Sequence, residues 1–363
     1  MEIIALRGKL YGINRIFSRE RGPRMFRRFV LPLFFALLLA VSANAEIKPE
    51  VILEGLKCPT GVAVQPETGI VYVSESAASQ IIRVVDGKAE VVVKEFPQDE
   101  YGKGPTYLMG PLGLAFMDKN HLVVGDGSQK DGEEVVRVYH IDEIGDGGVK
   151  ADMGKKTNPL KPSDDVPGEG NFYGVAIDQE AIYVTSNGDD KKGWIARCPL
   201  EMDGLGELAR FIPTKDVVQV DAPAAIAISP RREIVVGQMG EINDAKDSLL
   251  TFYDQKSKKL LLSLPTDLHD IVGLAYSPKT GRLYAVDYSW ADPKQGGLYR
   301  LDATRRDGKQ AINATKLLDL DQPTAMAFNA DGELYITEFA NGDGKAEGKD
   351  PATGKLLKIA EGL

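Results

Sequence analysis

The chain has 363 residues, of which 43% are hydrophobic and 27% are charged, and its formal net charge is −9 at neutral pH. An acidic chain is a poor partner for nucleic acid or anionic lipid, because both require a basic surface. Its three histidines are scattered along the sequence and cannot form a histidine-rich zinc centre. A small molecule or another protein is therefore the expected class of partner.

A secretory signal peptide is predicted at the N-terminus. Arg27-Arg28 come before an apolar run of 13 residues, and Ala43-Asn44-Ala45 matches the small-residue pattern of a cleavage site. A membrane anchor is the alternative, but a helix needs about 20 apolar residues to span a bilayer. We expect residues 1–45 to be removed by cleavage after Ala45. Met25, just before the basic residues, is an alternative start of translation.

Residues 46–363 would then form the mature protein, which we expect to be secreted or periplasmic and not attached to a membrane. This segment is more acidic than the whole chain, with 36 Lys and Arg against 51 Asp and Glu, a formal charge of −15. Because one repeated pattern fills the segment, we expect a single domain, and we expect it to be a monomer.

One short pattern occurs six times, with an alanine at the same position in every copy. The copies are Gly61-Val62-Ala63-Val64, Gly113-Leu114-Ala115-Phe116, Gly174-Val175-Ala176-Ile177, Ala225-Ile226-Ala227-Ile228, Gly273-Leu274-Ala275-Tyr276 and Ala325-Met326-Ala327-Phe328. The alanines are 52, 61, 51, 48 and 52 residues apart, and a second apolar run follows each copy after a turn. Repeats of this length built from β-hairpins are typical of a propeller. The sequence therefore predicts an all-β, six-bladed β-propeller.

Each repeat divides into four antiparallel strands, A to D, which would form one four-stranded blade. In the first repeat we place these strands at residues 61–64, 70–74, 80–84 and 89–93. Strand A is apolar at every position, which indicates that both of its faces are covered. The strand next to the axis of a propeller has this environment, and the alanine leaves room where six such strands converge.

The sixth repeat ends after its third strand, at Ile359, and has no fourth strand of its own. We expect Glu50-Val51-Ile52-Leu53, which precedes the first repeat, to supply that strand and to close the ring. Closure removes the unpaired strand edges that favour aggregation. Residues 142–171 and 341–350 are hydrophilic insertions, and we predict that both form loops.

Two copies of the repeat carry a longer pattern, with Pro at the start of strand A and Tyr and a carboxylate in strand B. They are Pro59-Thr60-Gly61-Val62-Ala63-Val64 with Ile70-Val71-Tyr72-Val73-Ser74-Glu75, and Pro323-Thr324-Ala325-Met326-Ala327-Phe328 with Leu334-Tyr335-Ile336-Thr337-Glu338. The pattern resembles NHL repeats and the gluconolactonase-like six-bladed propellers over about residues 46–363. The resemblance implies the architecture and leaves the activity open, since these relatives include lactonases, other enzymes and non-catalytic binding propellers.

In the lactonase branch of these relatives, a divalent cation lies on the axis, held by Glu, Asn and Asp near the start of strand A. The residues at that position here are Thr60, Leu112, Tyr173, Ala224, Val272 and Thr324. None of them has a carboxylate or an amide. Asn171, Asp221, Asp270 and Asp321 lie two to four residues upstream and could substitute only if the loops were shifted. The sequence thus departs from the lactonase metal site.

Polar residues recur at the end of strand B, on the face where strand A begins, and should surround one mouth of the channel. They are Glu75, Asp126, Ser186, Asn187, Gln238, Asp287 and Glu338. In one interpretation they form a ligand-binding mouth, in which the four carboxylates of Glu75, Asp126, Asp287 and Glu338 hold Ca²⁺ or a basic ligand. In the other, they cap the turns between strands B and C by binding backbone N–H groups.

One histidine lies beside a carboxylate close to a strand A. His269 and Asp270 are the candidates for a general base and the acid that orients it. The alternative is a solvated loop histidine, since no nucleophile accompanies the pair. We predict an exported propeller that binds a small molecule or a protein through its acidic mouth without catalysis. The alternative function is a metal-dependent lactonase or esterase of the gluconolactonase-like class, with Ca²⁺ as its cofactor.

Overall fold

The computed structural model describes residues 47–101, 106–163, 165–186, 193–202, 204–339 and 354–363. Contacts between Cα atoms divide the whole chain into two units, Met1–Ala45 and Glu46–Leu363. The predicted signal peptide, the predicted mouth residue Asn187 and the predicted loop 341–350 lie outside the described residues. In the second unit, six sheets follow one another along the chain, and this arrangement confirms the predicted six-bladed β-propeller.

The first strand belongs to the last blade, and the next three blades follow in chain order. The N-terminal strand is β1 (Glu50–Leu56). Blade 1 contains β2 (Pro59–Val64), β3 (Val71–Glu75), β4 (Gln80–Val85) and β5 (Lys88–Lys94). A small hairpin then consists of β6 (Asp99–Tyr101) and β7 (Tyr107–Met109). Blade 2 and its insertion contain β8 (Pro111–Phe116), β9 (His121–Asp126), β10 (Val136–His140), β11 (Val149–Lys150) and β12 (Lys155–Lys156). Blade 3 contains β13 (Val175–Ile177), β14 (Ala181–Ser186), β15 (Trp194–Glu201), β16 (Gly204–Leu205) and β17 (Ala209–Pro213).

The remaining three blades have regular four-stranded sheets. Blade 4 contains β18 (Pro223–Ile228), β19 (Glu233–Gln238), β20 (Leu249–Asp254) and β21 (Leu260–Pro265). Blade 5 contains β22 (Ile271–Tyr276), β23 (Leu283–Asp287), β24 (Gly297–Arg306) and β25 (Lys309–Asp319). Blade 6 contains β26 (Pro323–Phe328), β27 (Leu334–Glu338) and β28 (Gly354–Ile359), together with β1.

Helices are few and short. There is one α-helix, α1 (Thr214–Val218), in the described residues, and none there is long enough to cross a bilayer. The short 3₁₀ segments are Ser76–Ala78, Ile141–Glu143, Ala151–Met153 and Pro293–Gln295. They lie in connections between strands, and Ile141 and Ala151 of these segments join a core cluster formed mainly by strand residues.

The ring is closed by the N-terminal strand, as predicted. Strand β1 pairs antiparallel with β28, and Val51 lies opposite Leu357. The last residue of β1, Leu56, is buried in a core cluster with Leu356 of β28 and Val73 of blade 1. One sheet is therefore built from the two ends of the propeller, and the ring has no interruption at this point.

The segment 142–171 differs from the predicted loop because it contains two short strands. Strand β11 pairs in parallel with β5 on the outer edge of blade 1, and β12 pairs with β10 as the fourth strand of blade 2. The carbonyls of Leu160, Lys161 and Pro167 accept hydrogen bonds from Arg210 of blade 3. Strands of two residues are too short to show an alternating pattern, which explains why the sequence did not reveal them.

Adjacent blades approach one another closely at the first residue of the repeated pattern. A Cβ atom added to Gly61 would lie 2.2 Å from the carbonyl oxygen of Leu112 in blade 2, and one on Gly113 would lie 2.1 Å from that of Tyr173 in blade 3. The alanine two residues later also faces a neighbour, since Ala63 shares a core cluster with Leu114 of blade 2. The small residues of the repeat thus follow from the short distance between adjacent innermost strands.

Replacement of Gly113 by alanine is expected to destabilise the ring strongly, because the new methyl group would overlap a backbone carbonyl that cannot rotate away. Overpacking of a core typically costs about 1–3 kcal/mol, and we expect the upper end of this range. Gly145→Ala is the matched control, since no atom lies within 4 Å of the added Cβ there. Urea unfolding measures both variants, and equal midpoints would show that the blades are not in close contact at Gly113.

Candidate functional site

The ends of the B strands and the starts of the A strands meet on one face of the propeller, which we call the upper face. In blade 1, Pro59 pairs with Glu75, and the same register places Pro223 opposite Gln238 in blade 4. Asp126, Asp287 and Glu338 occupy the corresponding positions in blades 2, 5 and 6. The structure therefore places these predicted mouth residues on the same face.

Glu75 and Glu338 each bind a backbone N–H group just before strand A of their own blade. Glu75 accepts a hydrogen bond from the Lys57 N–H group at 2.8 Å and another from the Gln80 amide at 2.7 Å. Glu338 accepts a hydrogen bond from the Asp321 N–H group at 2.9 Å. Both side chains are buried, so each one fixes the loop that leads into strand A of its blade. Burial, together with the nearby Asp321 carboxylate, raises the pKa of Glu338.

Asp287 is fully buried and has the same role in blade 5. Its two carboxylate oxygens accept hydrogen bonds from the N–H groups of His269, at 3.0 Å, and Asp270, at 2.8 Å. Burial raises the pKa of Asp287, and these two N–H groups oppose that shift because they stabilise the charged form. The carboxylate thus holds the turn before β22 in place.

Asp126 forms a buried ion pair instead. Its Oδ2 atom accepts hydrogen bonds from Arg137 Nε at 3.0 Å and Nη2 at 2.8 Å, and its Oδ1 atom accepts one from the Ser128 N–H group. Both charged side chains are almost completely buried. Within the described residues, no three His, Cys, Asp or Glu side chains are arranged to hold a metal ion. The four mouth carboxylates are therefore distributed among separate local networks.

The neutral mouth residues also bind locally. The Gln238 amide donates a hydrogen bond to the Val220 carbonyl at 2.8 Å, and the Ser186 hydroxyl donates one to the Gly170 carbonyl at 2.7 Å. Gln238 binds the loop before strand A of its own blade, as the carboxylates of blades 1, 5 and 6 do. This repeated bond accounts for a polar residue at the end of strand B.

His269 and Asp270 are both buried, but their side chains point to different surroundings. One oxygen of Asp270 accepts a hydrogen bond from the Trp290 N–H group at 2.6 Å, and the other has no hydrogen-bond partner in the described structure. His269 Nδ1 likewise has none. The histidine lines a cavity of about 170 Å³ beside blade 5, together with Lys246 and Arg306. The predicted hydrogen bond between base and orienting acid is therefore not formed.

The pH dependence of stability should reveal the buried Asp270. Burial raises the pKa of Asp270 to about 7, and the nearby Asp287 and Asp247 carboxylates add to the shift. The unfolded chain loses this proton near pH 4, so between pH 4 and 7 the folded state binds more protons and stability falls as pH rises. We expect Asp270→Asn to gain stability relative to the wild type from pH 4.5 to 7.5. Thermal melting of both proteins across this pH range checks the expectation. A difference in melting temperature that does not change with pH would contradict the raised pKa of Asp270.

Aromatic side chains cover the centre of the upper face. The rings of Tyr288 and Trp290, from blade 5, are stacked with centroids 3.8 Å apart. The Trp290 indole N–H donates a hydrogen bond at 2.9 Å to the hydroxyl of Tyr107, which precedes blade 2. Phe339 of blade 6 contacts Tyr288 edge-on. We call Tyr107, Tyr288, Trp290 and Phe339 the aromatic cluster. Since blades 2 and 5 are opposite each other in a ring of six, the cluster reaches across the axis.

Tyr173 makes a second connection across the ring. It directly precedes strand A of blade 3, and its hydroxyl donates a hydrogen bond at 2.6 Å to the Thr324 carbonyl of blade 6, on the opposite side. The hydroxyls of Thr60 and Thr324 are themselves bound to carbonyls of neighbouring strands. The six positions that would carry an axial cation are thus occupied by this tyrosine, by the two hydrogen-bonded threonines and by the apolar residues Leu112, Ala224 and Val272. These residues do not fit a lactonase-type metal site.

Comparison with known proteins supports the fold. No protein-family model matches the sequence, and no curated protein matches it significantly. The solved structures it resembles include a glucose dehydrogenase of Thermus thermophilus, with a TM-score of 0.57, 18% identity and coverage of 86% of this chain and 100% of the other.

Two further similar structures have slightly lower identities. A gluconolactonase of Xanthomonas campestris has a TM-score of 0.57 and 14% identity, with 86% of this chain and 90% of the other covered. The calcium-binding protein regucalcin of Agrobacterium tumefaciens has a TM-score of 0.53 and 13% identity, with 87% and 94% covered. The chain shares the six-bladed fold of gluconolactonase-like propellers, as its repeats predicted, and at these identities the likeness concerns the fold alone.

Proposed function

We propose that the upper face binds a small polyhydroxylated molecule, of the sugar or sugar-lactone class, on the aromatic cluster. The observation that carries the proposal is the Tyr288–Trp290 stack, held in place by the hydrogen bond to Tyr107. Tyr288 is buried, whereas Trp290 and Tyr107 are partly exposed. A fixed, partly exposed aromatic face with polar groups around it is a typical surface for sugar rings, which pair an apolar face with hydroxyl groups.

The polar surroundings fit the same class of ligand. Asp270 lies next to Trp290 and has one carboxylate oxygen without a hydrogen-bond partner in the described structure, and such an oxygen can accept a hydrogen bond from a hydroxyl group. Two of the proteins with this fold are a glucose dehydrogenase and a gluconolactonase, names that refer to sugar-derived compounds. The proposed binding needs neither an axial metal nor catalysis. We further propose that the protein is exported after cleavage at Ala45 and acts as a monomer.

Trp290→Ala should weaken binding of such a ligand at least tenfold, because it removes the exposed half of the stack. Titration calorimetry with glucose and with gluconolactone measures the affinity of the wild type and the variant. Trp194→Phe is the control, since Trp194 is the other tryptophan of the chain and begins strand β15 outside the cluster. Equal affinities of the wild type and Trp290→Ala, or no binding of either compound, would contradict the proposal.

A second candidate function is hydrolysis of a lactone or ester, and the cavity beside His269 favours it. His269 Nδ1 has no hydrogen-bond partner in the described structure and could take a proton from a water molecule. Lys246 and Arg306, which line the same cavity, could stabilise negative charge on the attacked carbonyl. Proton release from gluconolactone tests it: loss of turnover in His269→Gln, with turnover retained in Trp290→Ala, would support this candidate over binding alone.

A further inference from the structure

Two of the three histidines are neighbours at the end of blade 2 that is opposite the upper face. His121 begins strand β9 and His140 ends strand β10, and the two residues are directly opposite each other in the antiparallel pair. The Ile141 N–H group donates a hydrogen bond to the Asn120 carbonyl at 2.8 Å, so the adjoining histidine pair is a non-hydrogen-bonded one, in which opposite side chains come closest. Strand β9 separates this pair from Asp126 on the upper face by about 17 Å.

The two imidazole rings are in contact with each other and remain open to solvent. Their centroids are 4.8 Å apart and their planes form an angle of 81°. The side chain of His121 is 38% exposed and that of His140 is 36% exposed. Neither Nε2 atom is hydrogen-bonded to a protein atom in the described structure, and neither is buried. An ion from solution can therefore reach both Nε2 atoms.

A carboxylate faces the other nitrogen of each ring. His121 Nδ1 is 2.9 Å from both carboxylate oxygens of Asp118, and His140 Nδ1 is 3.7 Å from Glu143 Oε1. A proton on Nδ1 that is directed at the carboxylate leaves the lone pair on Nε2. Histidines that bind metals in proteins have this arrangement, in which a carboxylate on the second nitrogen fixes the ring and makes it a better ligand.

The separation of the rings fits two ligands of one metal ion. When two imidazoles bind an ion at about 2.0–2.1 Å, with an angle of about 90–110° at the metal, their centroids lie about 4.5–5.2 Å apart. The observed separation of 4.8 Å lies within this interval. The χ2 torsion of histidine is broad, so small rotations can direct both Nε2 atoms at the same ion.

We propose that His121 and His140 bind one divalent transition-metal ion, of the class of Zn²⁺ and Cu²⁺, through their Nε2 atoms. Imidazole nitrogens suit these ions, whereas Ca²⁺ and Mg²⁺ prefer oxygen ligands. The protein supplies two ligands, in agreement with the finding that no three ligand side chains form a group in the described residues, and water would complete the shell. The site is separate from the upper face and does not depend on the proposed sugar binding.

Titration calorimetry of the chelator-treated protein, prepared without a histidine tag, tests the site with ZnCl₂ and with CuCl₂. We expect one equivalent of either ion to bind, with Cu²⁺ bound more tightly, and to raise the melting temperature because the ion binds the folded state. His121→Gln and His140→Gln should each lower the affinity at least tenfold. His269→Gln, which changes the third histidine of the chain, is the matched control and should keep the affinity of the wild type.

Two further measurements keep the test decisive. Electron paramagnetic resonance of the Cu²⁺ complex should show coupling to nitrogen ligands. If a histidine variant does not fold, Asp118→Asn keeps both imidazoles and should still weaken binding about tenfold, because it loosens the ring of His121. The proposal is overturned if the wild type binds neither ion at micromolar concentration, if the Cu²⁺ spectrum shows no nitrogen coupling, if both histidine variants bind normally, or if His269→Gln alone loses the ion.

Discussion

Removal of residues 46–54 should lower the melting temperature of the propeller by more than about 10 °C, a shift that corresponds to several kcal/mol for a chain of this size. The deletion removes most of β1 and leaves one edge of β28 without its partner strand. Several backbone hydrogen bonds, each contributing about 0.5–1.5 kcal/mol, are lost together. The free edge should also make the protein self-associate.

The control for this deletion is a chain that begins at Glu46. A synthetic peptide of residues 46–56, added to the truncated protein, should restore part of the melting temperature because it can pair with β28. Light scattering reports the self-association. A truncated protein that melts with the control and stays monomeric would show that the ring does not depend on β1.

Loss of the buried guanidinium group of Arg137 should destabilise the fold almost as much as the deletion of β1. In Arg137→Met, the carboxylate of Asp126 remains fully buried without its partner, and breaking a buried ion pair in this way typically costs about 3–5 kcal/mol. Asp126→Asn combined with Arg137→Met removes both charges and should recover much of that loss. Urea unfolding of the two variants measures the difference.

The exposed pair Arg83–Glu90 provides the comparison for Arg137. Arg83 Nε and Glu90 Oε2 are 2.9 Å apart, but both side chains are in contact with solvent. Such exposed pairs contribute about 0–1 kcal/mol to the free energy of unfolding. Arg83→Met should therefore change the unfolding midpoint only slightly. A similar small change in Arg137→Met, or no recovery in the double variant, would contradict the role assigned to the buried pair.

The repeats made the fold predictable because each blade has the same environment. The pattern around Ala63 or Ala176 reports a strand covered on both faces, and six copies in matching register define the ring. The missing strand after Ile359 likewise identified β1 as the closing strand. In contrast, strands β11 and β12 have two residues each, and no periodic pattern exists at that length.

The candidate site was harder to predict because it depends on distances between blades. The sequence placed Glu75, Asp287 and Glu338 on one face correctly, but it could not tell a shared site from three separate hydrogen bonds to loops. Contact between Trp290 and Tyr107 joins residues 183 positions apart in the chain. Glu134 is fully buried, and the Asn171 N–H group that binds it lies 37 positions further along the chain.

The hydrogen bond from Tyr173 to Thr324 connects two opposite blades directly across the axis of the ring. In a propeller the sheet of each blade packs only against the sheets of its two neighbours. A displacement of one blade is therefore normally transmitted from neighbour to neighbour around the ring. The hydrogen bond joins blade 3 to blade 6, the blade in which the N-terminal strand β1 pairs with the C-terminal strand β28. If β1 detaches, the inner strand of blade 6 remains tied to the far side of the ring. Separation of β1 from β28 should therefore remain confined to the outer strands of blade 6 and leave the inner strands of the ring in place.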